Sequence, residues 1–274
     1  MNDVPIAIIG GSGLCRQDVF LTLDQVRPET EFGLPSDAIS ICEFTNVTGE
    51  PGRVAFLPRH DDAHSLAPHA VPYRANIAAL QSLGVRQIVA TCIAGSLRRA
   101  IRPGDLVVPD QFVNLTWGRD QHRAAPPVHL PFADPYCPTL RQLFIFQARQ
   151  MKVRTHARGT VAVIQGPRFS SRAESRWFAR QGWSLVNMTQ YPECYYARES
   201  GMCYASLAMI TDYDVGVSRV RRGLRSDKSF ADILPVFHRN VVTLKLLLHD
   251  LIPSILKTTC QCTTPFPSEY YKQV

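Results

Sequence analysis

Two apolar segments, Trp183 to Val186 and Met202 to Ile210, each run directly into polar residues. This pairing constrains the chain more than any other feature. The first segment ends in Asn187-Met188-Thr189 and the second in Thr211-Asp212-Tyr213-Asp214. Read as buried strands, they set both polar clusters at carboxyl ends, where an open α/β sheet places its ligands. One cluster offers amide, thioether and hydroxyl groups, and the other offers two carboxylates two positions apart. Polar groups converging at the end of an apolar sheet describe a small-molecule pocket.

The rest of the chain supplies further strand ends of the same kind. Ile6 to Ile9 reads as a strand entering Gly10-Gly11-Ser12-Gly13, whose backbone N–H groups and Ser12 hydroxyl can converge on an anion. This turn has neither the Walker lysine nor dinucleotide spacing, which disfavours ATP and NAD. Val54 to Leu57 ends in Pro58-Arg59-His60, where an arginine fork and a histidine can meet an oxyanion. His64 and His69 follow without metal-ligand spacing and read as loop residues. A helix is expected from Asn76 to Leu83, ended by Gly84. Gln87 to Cys92 reads as a central strand opening into Ile93-Ala94-Gly95-Ser96, small residues against which a flat ring can lie.

Turn formers between Thr30 and Gly52 separate short hairpins at a sheet edge. Leu106 to Pro109 and Gly159 to Gln165 read as strands, with a long loop from Asn114 to Pro138 between them. Ser171 and Glu174 form a capping-box signal for a helix to Gln181. Ser229 to Lys257 reads as a long amphipathic helix interrupted at Pro235 and Pro253. This alternation predicts one three-layer α/β domain over 1–274 around a mostly buried sheet.

Composition narrows the function classes. At 45% hydrophobic and 19% charged residues the chain is an ordinary globular one. No apolar run reaches about 18 residues, so no membrane span is expected. The N-terminus has no secretory pattern, and a cytoplasmic protein is expected. The net charge of +7 is partly local: Arg219, Arg221, Arg222, Arg225 and Lys228 crowd one segment. No nucleic-acid-binding motif accompanies them. The segment over 217–228 reads either as a solvated loop or as a flap attracting an anionic substrate. The eight cysteines show no paired Cys-x-x-Cys spacing, so no metal is expected. Cys260 and Cys262 could oxidise, although cytosolic thiols usually stay reduced.

Several longer motifs carry a family resemblance. They include Gly10-Gly11-Ser12-Gly13-Leu14, Pro58-Arg59-His60, Tyr73-Arg74-Ala75-Asn76, Gly166-Pro167-Arg168-Phe169-Ser170-Ser171, Asn187-Met188-Thr189, Pro192-Glu193 and Cys203 to Asp214. On these the sequence resembles the 5'-methylthioadenosine phosphorylases, within the trimeric purine nucleoside phosphorylase family. The resemblance implies a nucleoside phosphorylase-like fold with a central mixed sheet, no cofactor, and a homotrimer. It implies that inorganic phosphate, as co-substrate, attacks the anomeric carbon of a purine nucleoside. Carried over by motif, Ser12, Arg59, His60 and Thr189 would hold phosphate, with Cys92 where such enzymes usually have threonine. Asn187 and Met188 would meet the ribose. Phe169 would stack on the purine, Ile93 and Ala94 would line its other side, and Thr211, Asp212 and Asp214 would face its edge. His129, from a neighbouring subunit, and Phe230, Ile233 and Leu234 would form an apolar pocket for the 5' substituent.

The chemistry of these residue types agrees. Departure of a purine builds negative charge on the base, which a proton or strong hydrogen bond at N7 relieves, and Asp212 is the candidate donor. A carboxylate accepts from a 6-amino group and repels a 6-oxo group unless it is protonated, so the pair favours adenine. A phosphorylase for another purine nucleoside, or a nucleoside-binding protein without turnover, stays open on these residues.

Overall fold

The computed structural model describes residues 4–11, 20–45, 49, 51–119, 129–217, 230–256, 258, 260 and 262, with the side chains of 230–234 excepted. Among these residues lie eleven strands, forming one mixed sheet, and five helices. No helix among them is long and apolar enough to cross a membrane.

The strands that carry the first motifs form the middle of the sheet. β1 (Ile6–Gly10) lies parallel to β4 (Pro51–Pro58) on one side and to β5 (Gln87–Ser96) on the other. β2 (Leu21–Val26) and β3 (Ile39–Thr45) continue antiparallel from β4 to one edge. β6 (Leu106–Val107), β7 (Gln111–Leu115), β8 (Thr155–His156), β9 (Thr160–Ile164) and β10 (Leu185–Asn187) follow, and β11 (Cys203–Tyr213) runs parallel along the whole of β5. The apolar runs of β1, β5 and β11 are buried on both faces, as parallel strands covered by helices must be.

The side chains of each strand alternate between the two faces of the sheet, and each face has its own helices. Ile6, Ile8, Phe56 and Val89 pack with Leu140 and Phe144 of α2 (Pro138–Gln150) and with Leu244, Leu248 and Leu251 of α5 (Phe230–Ile255). Ala7, Ile9, Leu57 and Ile88 pack on the other face with Ile77 and Leu80 of α1 (Tyr73–Ser82) and with Tyr196 of α4 (Gln190–Glu199). α3 (Arg172–Arg180) packs through Phe178 against Ile164 and Val186. The expected α/β architecture, helices on both faces of a mixed sheet, is what the chain adopts.

Several element boundaries differ from the sequence reading. Gln111–Leu115 is a strand, so the loop begins after it, and Pro138 starts a helix to which the sequence reading assigns no element. That helix had a signal: proline suits a first turn, and Leu140, Phe144 and Ala148 recur at helical spacing on its buried face. Pro235 and Pro253 do not interrupt α5, which runs on through both. Leu244, Leu247, Leu248, Leu251, Ile252 and Ile255 are buried along one stripe, and this packing outweighs two lost backbone bonds. The capping box at Ser171 and Glu174 forms as expected.

Candidate active site

β5 changes partner along its length, and the site lies where it does so. Gln87 to Ala90 pair with β1, while Gly95 and Ser96 pair antiparallel with β10. Between them, on that edge, the backbone from Thr91 to Ala94 has no strand beside it among the described residues, and its carbonyls serve side chains instead. Thr91 O accepts from Arg59 Nη1 at 2.8 Å, and Ile93 O accepts from Asn187 Nδ2 at 3.1 Å. β1 and β10 therefore splay apart and leave a hollow of about 420 Å³ at their carboxyl ends. Gly11, Arg59, His60, Cys92 and Thr189 line it, and so do Ile93, Ala94, Phe169, Asn187, Met188, Thr211, Asp212 and Asp214. The two groups of residues expected from the sequence thus share one cavity.

Arg59 is 1% exposed and held on three sides. Its Nε and Nη2 donate to Glu193 Oε2 and Oε1 at 2.6 and 2.7 Å, and its Nη1 donates to Thr91 O. The fork expected to grip phosphate is therefore spent on Glu193, which also accepts from Tyr204 Oη at 2.8 Å. Two of the five guanidinium N–H groups have no partner among the described residues, and they suffice for an anion. Burial alone would lower the arginine's proton affinity, but the charge and hydrogen bonds of Glu193 outweigh it and hold the guanidinium above its ordinary range. The cation is thus fixed in charge and position. Gly11 lets this happen, since a Cβ there would stand 3.2 Å from Arg59 Nη1 and from Thr91 O. Ser12 lies outside the described residues.

His60 shares the same wall. Its Nδ1 donates to Leu66 O at 2.8 Å, which assigns the Nδ1–H tautomer and keeps Nε2 as an acceptor. Burial, and then the adjacent Arg59 charge, lower its pKa to about 4, so the ring is neutral near pH 7. A neutral acceptor beside a fixed cation suits a phosphate that still carries one P–O–H. His64, read as a plain loop residue, also lines the cavity, with its ring centroid 4.8 Å from that of His60. Its backbone there is left-handed, with φ 56°.

Asn187 organises the next wall. Its Oδ1 accepts from the backbone N–H groups of Thr189 and Gln190 at 2.7 and 2.9 Å, capping the start of α4, while its Nδ2 holds β5. Cys92 lines the cavity, but its thiol is engaged behind the wall. Gln190 Nε2 donates to its sulfur at 3.3 Å, and Ser206 Oγ lies 3.7 Å away. Gln190 also accepts from Tyr136 Oη. Burial pushes the Cys92 thiol up, so it stays uncharged beside the anion end. Arg119 lies in the loop that follows β7. It donates to Met188 O at 2.8 Å, to Tyr191 O at 3.2 Å and to Gln165 O, tying two cavity loops together.

The opposite wall is built on β11 and on the loop before α3. A bulge between Ile210 and Asp212 shifts the register with β5, which re-aims the strand end toward Gly95. Thr211 Oγ1 donates to Asp212 Oδ1 at 3.1 Å, and Asp214 N donates to Ser96 O at 2.9 Å. Gly166 has φ 62°, and a Cβ there would lie 2.6 Å from Met188 Sδ, so the loop turns only with glycine. Phe169 follows it and is 58% exposed at the cavity mouth. Arg168 donates to both Glu174 oxygens at 2.8 and 2.7 Å, and this pairing holds the Glu174 carboxyl at about 2.

The 5' pocket is not assembled within this chain's described residues. His129 is exposed and is not among the residues lining the cavity. Phe230, Ile233 and Leu234 lie on the first turns of α5, and their side chains fall outside the described residues. The basic segment 217–228 falls outside them too, apart from Val217.

A nucleoside-sized hollow with a fixed cation at one end and two carboxylates at the other is the arrangement of a nucleoside phosphorylase. The chain belongs to the phosphorylase superfamily, whose family model matches residues 5–252. Its curated relatives include the S-methyl-5'-thioadenosine phosphorylase of Mycolicibacterium smegmatis, 46% identical over 94% of this chain and 95% of that one. Another is the purine nucleoside phosphorylase of Streptomyces coelicolor, 41% identical over 94% and 92%. Among solved structures, the Schistosoma mansoni methylthioadenosine phosphorylase bound to adenine superposes with a TM-score of 0.85 at 34% identity, over 94% of this chain and 93% of that one.

Proposed function

We propose that the protein cleaves 5'-methylthioadenosine with inorganic phosphate, giving adenine and 5-methylthioribose 1-phosphate. The observation that carries this reading is the shared cavity, which Arg59, His60 and Thr189 line together with Met188, Asp212 and Asp214. Phosphate held by the first three lies beside the anomeric carbon of a sugar resting on Met188. As the glycosidic bond lengthens, positive charge on the sugar is stabilised by the approaching anion. The electrons of that bond pass to the purine, whose N7 takes a proton or hydrogen bond from the protonated carboxyl of Asp212. The phosphate oxygen then bonds to the anomeric carbon, and no cofactor is required. Phe169 and the Ile93-Ala94 backbone hold the ring between them.

The relatives named methylthioadenosine phosphorylases, and a Schistosoma mansoni variant solved with methylthioadenosine, support this substrate. The family resemblance implies a homotrimer, in which His129 of a neighbouring subunit would complete the 5' pocket. The relative named purine nucleoside phosphorylase favours a second reading, in which another purine nucleoside is the substrate.

One assay decides between these readings: adenine release from methylthioadenosine, with and without phosphate, beside the same assay with adenosine and inosine. Phosphate-dependent release, fastest from methylthioadenosine, is expected. Release at equal rate without phosphate would show a hydrolase, and faster cleavage of inosine would install the second reading.

A further inference from the structure

Four cysteines gather at the end of β11 farthest from the cavity. Cys137 caps the start of α2, Cys203 opens β11, and Cys260 and Cys262 come from the segment beyond α5. Their sulfur atoms all lie within 4.8 Å of one another, although the residues come from three separate parts of the chain. Cys137 Sγ stands 3.7 Å from Cys260 Sγ. Four thiolates around a tetrahedral zinc at about 2.3 Å stand about 3.8 Å apart, so this edge already has the required length.

We propose that Cys137, Cys203, Cys260 and Cys262 form a closed tetrathiolate site for a thiophilic cation, zinc being the one whose geometry and softness match. A disulfide needs one partner for each sulfur. Here Cys260 neighbours both Cys137 and Cys203, and the fourth sulfur lies within the same radius. Cys203 Sγ and Cys260 Sγ are 2.6 Å apart and must part by about 1 Å to admit the ion. Cys203 belongs to a strand, so the half-buried tail supplies the movement. The surroundings suit a metal in one further way. The Cys137 sulfur accepts from Leu140 N at 3.5 Å, the outer hydrogen bond that typically orients a ligand.

A site with four protein ligands leaves no open position, so its role is structural rather than catalytic. It also sits far from the chemistry. Cys203 and Asp212 are at opposite ends of β11, about 30 Å apart at strand rise. The bound ion would fasten the chain's tail across the starts of α2 and β11, beneath the core that α5 covers.

The test uses tag-free, full-length protein purified without chelator. Elemental analysis is expected to give about one zinc per chain. Cobalt added to the reduced, metal-stripped protein should produce the intense visible bands of a tetrahedral thiolate complex. Cys260→Ser and Cys262→Ser change only the half-buried tail and should each lower zinc affinity by at least about tenfold, the smaller loss seen even for outer-shell partners. Stripping the metal should lower the melting temperature while turnover at low temperature is retained. Metal-free protein whose four thiols all react with an alkylating probe would overturn the proposal. So would peptide maps showing these cysteines joined in disulfides, or zinc content unchanged in both variants.

Discussion

The two ends of the cavity are built on opposite plans. At the anion end, Arg59 is buried, and its three bonds to Glu193 and Thr91 leave it one position and one charge state. At the base end, Phe169 is 58% exposed and Asp212 is partly open, held by Thr211 and by a bulged strand end. Phosphate is the same in every turnover, so a site preorganised for it loses nothing by rigidity. The base must enter and leave past the open end, and its recognition rests on a few polar groups. The difference teaches where each property can be altered: the anion end is coupled to folding, and the base end is largely free of it.

The sharpest way to break that contrast is Glu193→Ala. Removing one partner of a buried ion pair leaves an uncompensated cation, so about 3–5 kcal/mol of stability should be lost along with phosphate affinity. Denaturant titration beside phosphate KM checks both. A variant that keeps full stability would show that the anion end is no more coupled to the fold than its opposite.

His60 gives the next largest effect, through pH. Folded His60 titrates at about 4, against 6.5 for the ordinary group, so between these values the unfolded chain binds the extra proton. Stability should therefore fall as pH drops from about 6.5 to about 4, by up to about 3 kcal/mol from this group. His60→Asn should flatten that slope, and saturating phosphate should reduce it, because a bound anion favours the imidazolium. Denaturation midpoints across this range, with and without phosphate, measure it; an identical slope in the variant would remove His60 as its source.

Asp212→Asn probes the base end. Turnover of adenine nucleosides should fall about a hundredfold, the scale of one general-acid contact, while 6-oxopurines gain because an amide can donate to O6. Stability should change little, in contrast with Glu193→Ala. Unchanged selectivity between adenosine and inosine would take Asp212 out of base reading. The smallest effect is expected from Ser171→Ala, which removes the cap behind Phe169 and should cost about 1 kcal/mol with phosphate KM unaltered.

Much of the cavity was legible because its residues sit at strand ends, and strand ends are local events. Apolar runs closing on Arg59-His60, Asn187-Met188-Thr189 and Asp212 to Asp214 identified the lining residues, and the box at Ser171 located a helix start. What stayed hidden are relations between distant residues. Glu193 lies 134 positions from Arg59, and no spacing reveals that the arginine's fork faces it rather than phosphate. Arg119 reads as one basic residue among many until its bonds to Met188 and Tyr191 are seen. Cys92 resembles a substituted phosphate ligand until Gln190 and Ser206 are found at its sulfur.

The sequence by itself determined the strand and helix alternation, the α/β class, and which polar residues stand at carboxyl ends. Those follow from hydrophobic periodicity and turn chemistry, which act over a few neighbouring residues. Only the tertiary structure decided that β5 exchanges β1 for β10 and so opens a hollow, that Glu193 takes up Arg59, and that four sulfurs from three segments meet. Each depends on which surfaces pack together, and packing brings side chains into contact without regard to their separation along the chain.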